Sequence, residues 1–153
     1  MTDALEQRVR RLEDLLEIQN LQALYARYAD RGWPGAQTDS EALANLFAED
    51  GVWSSPKVGT YEGRQAIREG LGRGTMPFSF HLLLSPHIDI QGDEATATWR
   101  ALFALTNPDR QALWGGGGYD VRYRRTASGW RIQHLSTQSA FMTPYGQSWA
   151  GPV

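Results

Sequence analysis

Four consecutive segments between residues 79 and 144, in which apolar residues recur with a period of two, constrain this chain most. They read "SFHLLLSPHIDI", "EATATWRALFALT", "QALWGGGGYDVRYRRT" and "GWRIQHLSTQSAFMTP". The links "QGDE", "NPDR" and "TASG" have the composition of tight turns. Because tight turns join antiparallel neighbours, the segments predict a four-stranded meander. The four glycines at 115–118 predict a bulge or bend within it.

The preceding part of the chain predicts helices. Residues 3–30 contain neither Gly nor Pro and predict one long helix. Apolar residues at steps of four, three and four form a stripe on its first part, and we expect this stripe to pack across the domain or against another subunit: Leu5, Val9, Leu12 and Leu16. Two shorter helices are predicted for "EALANLFAEDG", capped by Asp39 or Ser40, and for "RQAIREGLGRG". "VWSSP" predicts a short strand, and "VGTYEG" a turn or short strand.

Helices followed by a meander indicate an α+β fold. We expect a cone-shaped, curved sheet, mixed or antiparallel, that wraps around an internal pocket and is covered by the N-terminal helices. Residues 1–153 would form one domain, with a helical extension at 1–17 and a C-terminal tail at 141–153. The tail could close the pocket or take part in an oligomer interface.

Composition excludes several function classes. The net charge of −2 and the dispersed arginines argue against a nucleic-acid surface. The chain has no Cys, which excludes disulfides, thiolate metal sites and a cysteine nucleophile. Its three His do not have metal-ligand spacing, so we expect no metal. No apolar run approaches the length of a membrane span, and we expect a cytoplasmic protein.

His81 stands out because it occupies an apolar position of the first meander strand. An imidazole there must be hydrogen-bonded, or it costs on the order of 1 to 3 kcal/mol. It could be a structural histidine bonded to a backbone carbonyl, which is the commoner case, or a titratable group of a site. His87 and His134 have the pattern of surface histidines.

Three further residues could share a site with it. Asp30 ends the first helix, where the macrodipole disfavours a carboxylate, so a compensating partner is expected. Tyr25 lies on the apolar side of that helix. Arg125 shares a strand face with Tyr119 and other apolar residues. Each has a plainer interpretation as a solvated helix end, a core phenol or a snorkelling cation.

The whole pattern resembles the SnoaL-like branch of the nuclear-transport-factor-2-like superfamily. The resemblance runs from about residue 5 to 145 and is carried by "IQNLQALYARYAD", "ALANLFAEDGVW", "GTYEG", "SFHLLLSPHIDIQGDEATATW" and "GGGYDVRYRRTASGWRIQHL". Within the branch, the sequence is similar to scytalone dehydratase, bile-acid 7-dehydratase and hexachlorocyclohexane dehydrochlorinase. The resemblance therefore implies the cone-shaped fold with an internal pocket.

These relatives catalyse eliminations without a cofactor by means of a His–Asp dyad. The resemblance implies a dyad at His81 and Asp30, a helix phenol at Tyr25 and a strand arginine at Arg125, with Arg124 as the alternative. One departure is Trp99, which stands where scytalone dehydratase has a second histidine.

We therefore expect a cofactor-independent lyase that removes water or halide, or cleaves a carbon–carbon bond, in a small hydrophobic substrate. The expected pocket-wall residues are Trp53, Trp99, Phe103, Tyr119, Phe141 and Met142. The alternatives are an isomerase, a ring-opening hydrolase, or a non-catalytic module that binds small molecules. A homo-oligomer, either a dimer or a trimer, is expected under each hypothesis.

Overall fold

The computed structural model of the chain describes residues 2–74 and 76–150. Its elements in chain order are α1 (Thr2–Ala29), α2 (Ser40–Asn45), β1 (Phe47–Ser55), β2 (Gly59–Glu62), α3 (Arg64–Gly72), β3 (Ser79–Gln91), β4 (Glu94–Thr106), β5 (Ala112–Thr126) and β6 (Gly129–Pro144). The predicted α+β fold is confirmed. Within the described residues, no helix is both long and apolar enough to span a membrane.

The six strands form one curved sheet in the order β2-β1-β6-β5-β4-β3. All neighbours are antiparallel except β1 and β6, which run parallel. The predicted meander is therefore β3 to β6, and β1 and β2 extend it beyond β6. The inner side of the sheet carries the core, which α1 covers with Ile18, Leu21 and Tyr25.

The second helix is shorter than its sequence predicted. Asp39 caps it by accepting a hydrogen bond from the Ala42 amide, but it ends at Asn45 rather than continuing through "LFAEDG". Phe47 begins β1 and pairs with Ile132 of β6. Local helix propensity is overridden there by pairing with a strand some 85 residues away, which also buries the Phe47 side chain completely.

The bulge predicted at the glycine run is present. Between Gly116 and Gly117 the pairing of β5 with β6 moves from Phe141 to Ser139, so that Ala140 of β6 is the extra residue. A Cβ on Gly115 would overlap the Phe103 ring, and one on Gly116 would lie 2.7 Å from the Phe141 ring. The glycines thus create space for one aromatic ring on each face of the sheet.

The apolar stripe of α1 does not pack across the domain. Leu5, Val9, Leu12 and Leu16 are 45–61% exposed, whereas the buried residues of the helix begin at Asp14 on the opposite side. At the other end of the chain, Trp149 packs on the outer face of the sheet against Trp114 and Phe141. Residues 151–153 of the predicted tail lie outside the described residues.

Candidate active site

Helix α1 and strand β3 bring Asp30 and His81 into direct contact. The helix ends at Ala29, and the Asp30 amide still donates to the Ala26 carbonyl, which fixes the position of this carboxylate. The next residue, Arg31, pairs through its backbone with Ser79 at the start of β3. Because this bridge ties the helix end to the strand, His81 lies within reach of Asp30.

One carboxylate oxygen accepts two hydrogen bonds from His81. Asp30 Oδ1 lies 2.7 Å from the ring Nδ1 and 2.9 Å from the main-chain N of the same residue. Asp30 is 5% exposed and is not left as an unpaired buried charge at the helix end. A carboxylate can only accept at Nδ1, so the contact fixes the tautomer with the proton on Nδ1.

The other ring nitrogen of His81 is free for chemistry. Within residues 2–74 and 76–150, Nε2 has no hydrogen-bond partner. The side chain keeps 17% of its surface exposed, so the nitrogen is not sealed inside the core. With Nδ1 protonated, Nε2 carries the lone pair and can accept a proton.

The wall beside His81 is built from a row of residues on adjacent strands. His81 pairs with Phe103, Phe103 with Gly115, and Gly115 with Met142, which places these residues on one face of the sheet. His81 and Phe103 are half-buried, and Met142 is 36% exposed. This end of the inner face is therefore partly exposed and lined by apolar side chains.

Two tyrosines lie deeper on the inner face. Tyr25 of α1 and Tyr119 of β5 pack edge to face, with ring centroids 5.8 Å apart. The Tyr25 hydroxyl accepts a 2.8 Å hydrogen bond from Trp53 Nε1 and keeps its own proton available for donation. Burial raises the pKa of Tyr25 to about 12, so the phenol stays protonated near neutral pH.

Tyr119 differs from the other buried phenols because its hydroxyl has no hydrogen bond to any described residue. Burial is the main reason that its pKa lies well above the ordinary value, and the proximity of Tyr25 and Asp30 adds to this effect. A protonated, unpaired hydroxyl in the neighbourhood of Asp30 can donate a hydrogen bond to a bound molecule.

Tyr123 shows the contrasting, closed arrangement. Its hydroxyl accepts from Trp99 Nε1 at 3.1 Å and donates to Gln22 Oε1 at 2.7 Å. Gln22, which was not among the residues predicted from the sequence, is fully buried, and its Nε2 has no partner among the described residues. Its signal was a polar residue on the inward side of α1, next to Leu21 and three residues before Tyr25.

The structure does not bring Arg125 to the dyad. Arg125 lies ten positions along β5 from Gly115, the residue in the His81 row, which is roughly 30 Å of strand. There it forms two 2.8 Å hydrogen bonds with Asp14 and one of 2.9 Å with Asp93. The alternative, Arg124, pairs with Asp50 at 2.7 Å on the exposed side.

One of the expected wall residues, Phe141, lies on the other face of the sheet, and a second, Trp99, has its polar atom already bonded. Phe141 is on the outer face, over Gly116 and against Trp114, because the bulge at Ala140 changes which residues of β6 point inward. Trp99 is on the inner face, but its indole N–H is bonded to Tyr123. Trp53, Phe103, Tyr119 and Met142 lie on the inner side of the sheet together with Tyr25 and His81.

Two open grooves of about 330 and 320 Å³ lie away from the dyad. The first is on the outer face between His87 and His134, and the second is beside the bulge at Gly117. Neither is lined by Asp30 or His81, and we place the site at the dyad because the unpartnered nitrogen is there. No group of three or more potential metal ligands is present in the described part of the chain.

In the outer groove, His134 Nε2 lies 2.9 Å from Ser54 Oγ, which resembles a nucleophile and its base. Arg122 contacts the other ring nitrogen at 3.4 Å and can only donate, so Nε2 must carry the proton and donate to the serine. Burial, and then the Arg122 charge, lower the pKa of His134. This pair therefore does not activate Ser54.

Comparisons with solved structures agree with this fold. A hexachlorocyclohexane dehydrochlorinase from Novosphingobium barchaimii superposes with a TM-score of 0.81 at 18% identity, covering 95% of this chain and 99% of that one. A protein from Novosphingobium aromaticivorans assigned as a scytalone dehydratase gives 0.75 at 21% identity, covering 100% and 97%. An NTF2-like protein with a cystatin-like fold from the same species gives 0.67 at 26% identity, covering 94% and 90%.

None of the curated proteins compared with this chain matches it. The family model described as SnoaL-like domain matches residues 10–136, which is most of the chain. The resemblance found in the sequence is therefore confirmed, and this protein belongs to the SnoaL-like family.

Proposed function

We propose that this protein is a lyase that needs no cofactor and eliminates a small group from a largely hydrophobic molecule. The observation that carries the proposal is the contact of Asp30 Oδ1 with His81 Nδ1, which leaves Nε2 without a partner among the described residues, on a partly exposed apolar face. Structural neighbours named as dehydrochlorinase and dehydratase support the reaction class.

His81 would act as the general base. Nε2 takes a proton from the carbon adjacent to the one that bears the leaving group, the electrons of that C–H bond form the new double bond between the two carbons, and the leaving group departs with its bonding pair. Asp30 stabilises the imidazolium that forms and holds the ring in place. A positioned base of this kind contributes on the order of 10²- to 10⁴-fold.

Tyr25 and Tyr119 would serve the departing group or a carbonyl next to it. Both hydroxyls have a proton to donate, and both pKa values are raised, so each donates without ionising. Hydrogen bonds aimed at developing negative charge in a site of low dielectric lower the barrier. Two phenols, with Arg125 paired far from the dyad, suit an oxygen leaving group or a carbonyl oxygen better than a departing halide.

The experiment is a turnover screen with three substrate classes: cyclic β-hydroxy ketones, chlorinated cyclohexanes and aldol-type β-hydroxy carbonyl compounds. Loss of water, chloride release and carbon–carbon cleavage are distinguished by mass spectrometry and ion chromatography. We expect one class to react, and His81→Ala to reduce kcat by about 10²- to 10⁴-fold with little change in melting temperature. His87→Ala and His134→Ala are the matched controls.

Two results would contradict the proposal. Turnover that survives His81→Ala nearly intact would remove the base from the mechanism. Binding of panel compounds without turnover would favour the non-catalytic module. The hydrogen bond from the His81 amide to Asp30 is also compatible with that function, since it would form equally if His81 had only a structural role.

A further inference from the structure

The first part of helix α1 stands apart from the rest of the protein. Every residue from Asp3 to Glu13 is exposed, and the first buried side chain of the helix is that of Asp14. The apolar stripe nevertheless continues through this part, with Leu5 61%, Val9 45%, Leu12 60% and Leu16 61% exposed. Large apolar side chains arranged in a row on a protruding helix are typical of a contact surface.

The stripe points directly away from the sheet. Successive residues of an α-helix are rotated by about 100°. On this basis the stripe residues lie roughly opposite the residues that contact the core, namely Asp14, Ile18, Leu21 and Tyr25. The helix thus has two apolar faces, one that packs on its own domain and one that faces outward. The domain of the same chain cannot cover the outward stripe.

The spacing of the stripe is that of a coiled-coil seam. Steps of four, three and four make Val9 and Leu16 the a positions and Leu5 and Leu12 the d positions of a heptad. On this scheme Arg8 is a g residue, and Glu6 and Glu13 are e residues. Residues at g and e border the seam and determine the partner and its direction.

The charges bordering the seam favour a second copy in parallel orientation. In a parallel pair a g residue faces the e residue five positions later on the partner, which matches Arg8 of each copy with Glu13 of the other. In an antiparallel pair e residues face each other, and Glu6 would meet Glu13 with like charge. The chain therefore complements itself in one direction only.

We infer that this segment, residues 5–16, associates with the same segment of a second copy as a short, parallel two-stranded coiled coil. Four apolar side chains per copy form a small interface, so the association is reversible and depends on concentration. The seam ends where exposed Gln19 takes the next d position. The bodies of the two copies lie on opposite outer sides of the pair, and both candidate active sites stay open.

The absence of cysteine from the chain allows a direct test in the full-length protein. In a parallel pair in register, residues of the same d layer meet across the axis, so Leu12→Cys should form a disulfide with its own copy under mild oxidation. Gln7→Cys, an f position on the outer side of the pair, is the control. We expect Leu12→Cys to cross-link at least about ten-fold faster, because pairing raises the effective thiol concentration.

The charge pattern is tested by sedimentation equilibrium. Arg8→Glu should raise the dimer Kd by about 3- to 10-fold, and the exchange Arg8→Glu with Glu13→Arg should restore it. Arg11→Glu, with the same change in net charge away from the seam, should have a smaller effect. Leu5→Glu with Leu12→Glu should raise the Kd at least about 100-fold, since unpaired carboxylates cannot be buried in the seam. Circular dichroism checks that the domain stays folded.

Three results would overturn the inference. If Leu12→Cys cross-links no faster than Gln7→Cys, the parallel pair is excluded. The same result is expected if the stripe binds another surface or another protein. Cross-linking of Val9→Cys with Leu12→Cys in a mixture, without self-linking of Leu12→Cys, shows an antiparallel pair. A weight-average mass that the double glutamate variant leaves unchanged shows that the stripe holds no copies together.

Discussion

Two buried carboxylates, Asp14 on α1 and Asp30 directly after its last residue, lie at opposite ends of the sheet and form a natural comparison. Asp14 is 6% exposed and Asp30 5%, and each accepts hydrogen bonds from a basic side chain of the sheet. Asp14 binds Arg125 through both oxygens and also accepts from Trp130 Nε1 at 2.9 Å. Asp30 binds His81 and leaves the far nitrogen of that ring without a described partner.

The two pairs differ in how many protein groups bind the basic side chain. The Arg125 guanidinium also binds Asp93 and stacks on the Trp130 ring, 4.5 Å from its centroid, so three of its five N–H groups are bonded within the protein and one of its faces is covered. The pKa of Arg125 is accordingly raised, chiefly by its hydrogen bonds with Asp14. A cation held by two carboxylates and an aromatic ring stabilises the fold, whereas an imidazole with one nitrogen unpartnered among the described residues can accept a proton.

The largest effect on stability is expected at the Asp14–Arg125 pair. Asp14→Asn removes the charge that faces Arg125, and it should lower the free energy of unfolding by about 2 to 4 kcal/mol in urea titrations at pH 7. Asp30→Asn keeps an oxygen for the His81 amide and should cost about 1 kcal/mol or less. Equal losses in the two variants would mean that both carboxylates serve mainly the fold.

The next effect comes from the space made at Gly115. A methyl group there would overlap the Phe103 ring and lie 2.8 Å from the Phe141 carbonyl oxygen, so Gly115→Ala should destabilise by about 1 to 3 kcal/mol. Adding Phe103→Leu removes part of the clash. The double-mutant cycle in urea should therefore show a favourable coupling. Additive losses would show that the ring is not what the glycine accommodates.

The two inward tyrosines of β5 extend the comparison to single hydroxyls. Tyr123→Phe breaks bonds to Trp99 and Gln22 and should cost about 1 to 2 kcal/mol. Tyr119→Phe breaks none with a described residue, so its melting temperature should hardly change, while turnover of an identified substrate should fall. A Tyr119→Phe variant as unstable as Tyr123→Phe would place an unseen partner on that hydroxyl.

The smallest effect is a pH dependence. Hydrogen bonding to Arg125, above all, lowers the pKa of Asp14 below its ordinary 3.8. The unfolded chain therefore binds this proton at higher pH than the folded one, and the stabilisation is complete above about pH 4 and lost as the pH falls through the folded pKa. Urea unfolding between pH 5 and 2.5 should show a decline in the free energy of unfolding that is smaller in Asp14→Asn. A parallel decline in both proteins would contradict it.

The fold was predictable because its main signals are local. Strand periodicity and turn composition predicted β3 to β6, and a long segment without Gly or Pro predicted α1. The end of α2 was not predictable in this way, since only pairing with β6 extends Phe47 into a strand. The sign of a local preference can be reversed by such a distant partner.

The site was partly predictable for a related reason. An unfavourable helix end and an imidazole in an apolar strand pointed to Asp30 and His81 singly, the resemblance to the SnoaL-like branch paired them, and the structure places them in contact. Arg125 lies on the predicted side of the sheet, but far along the strand from His81. To predict which face of the sheet Phe141 lies on, the exact position of the bulge in β6 is needed. The glycine run on the neighbouring strand does not give that position.

The two hydrogen bonds from His81 to one oxygen of Asp30 have a mechanical consequence. Because the ring and the peptide group of the same residue share that oxygen, β3 cannot slide along α1 without losing both contacts together. The position of the strand and the orientation of the His81 ring are then fixed together. Local unfolding of this region would release the ring completely, so states in which the strand is in place but the ring is misoriented would hardly be populated.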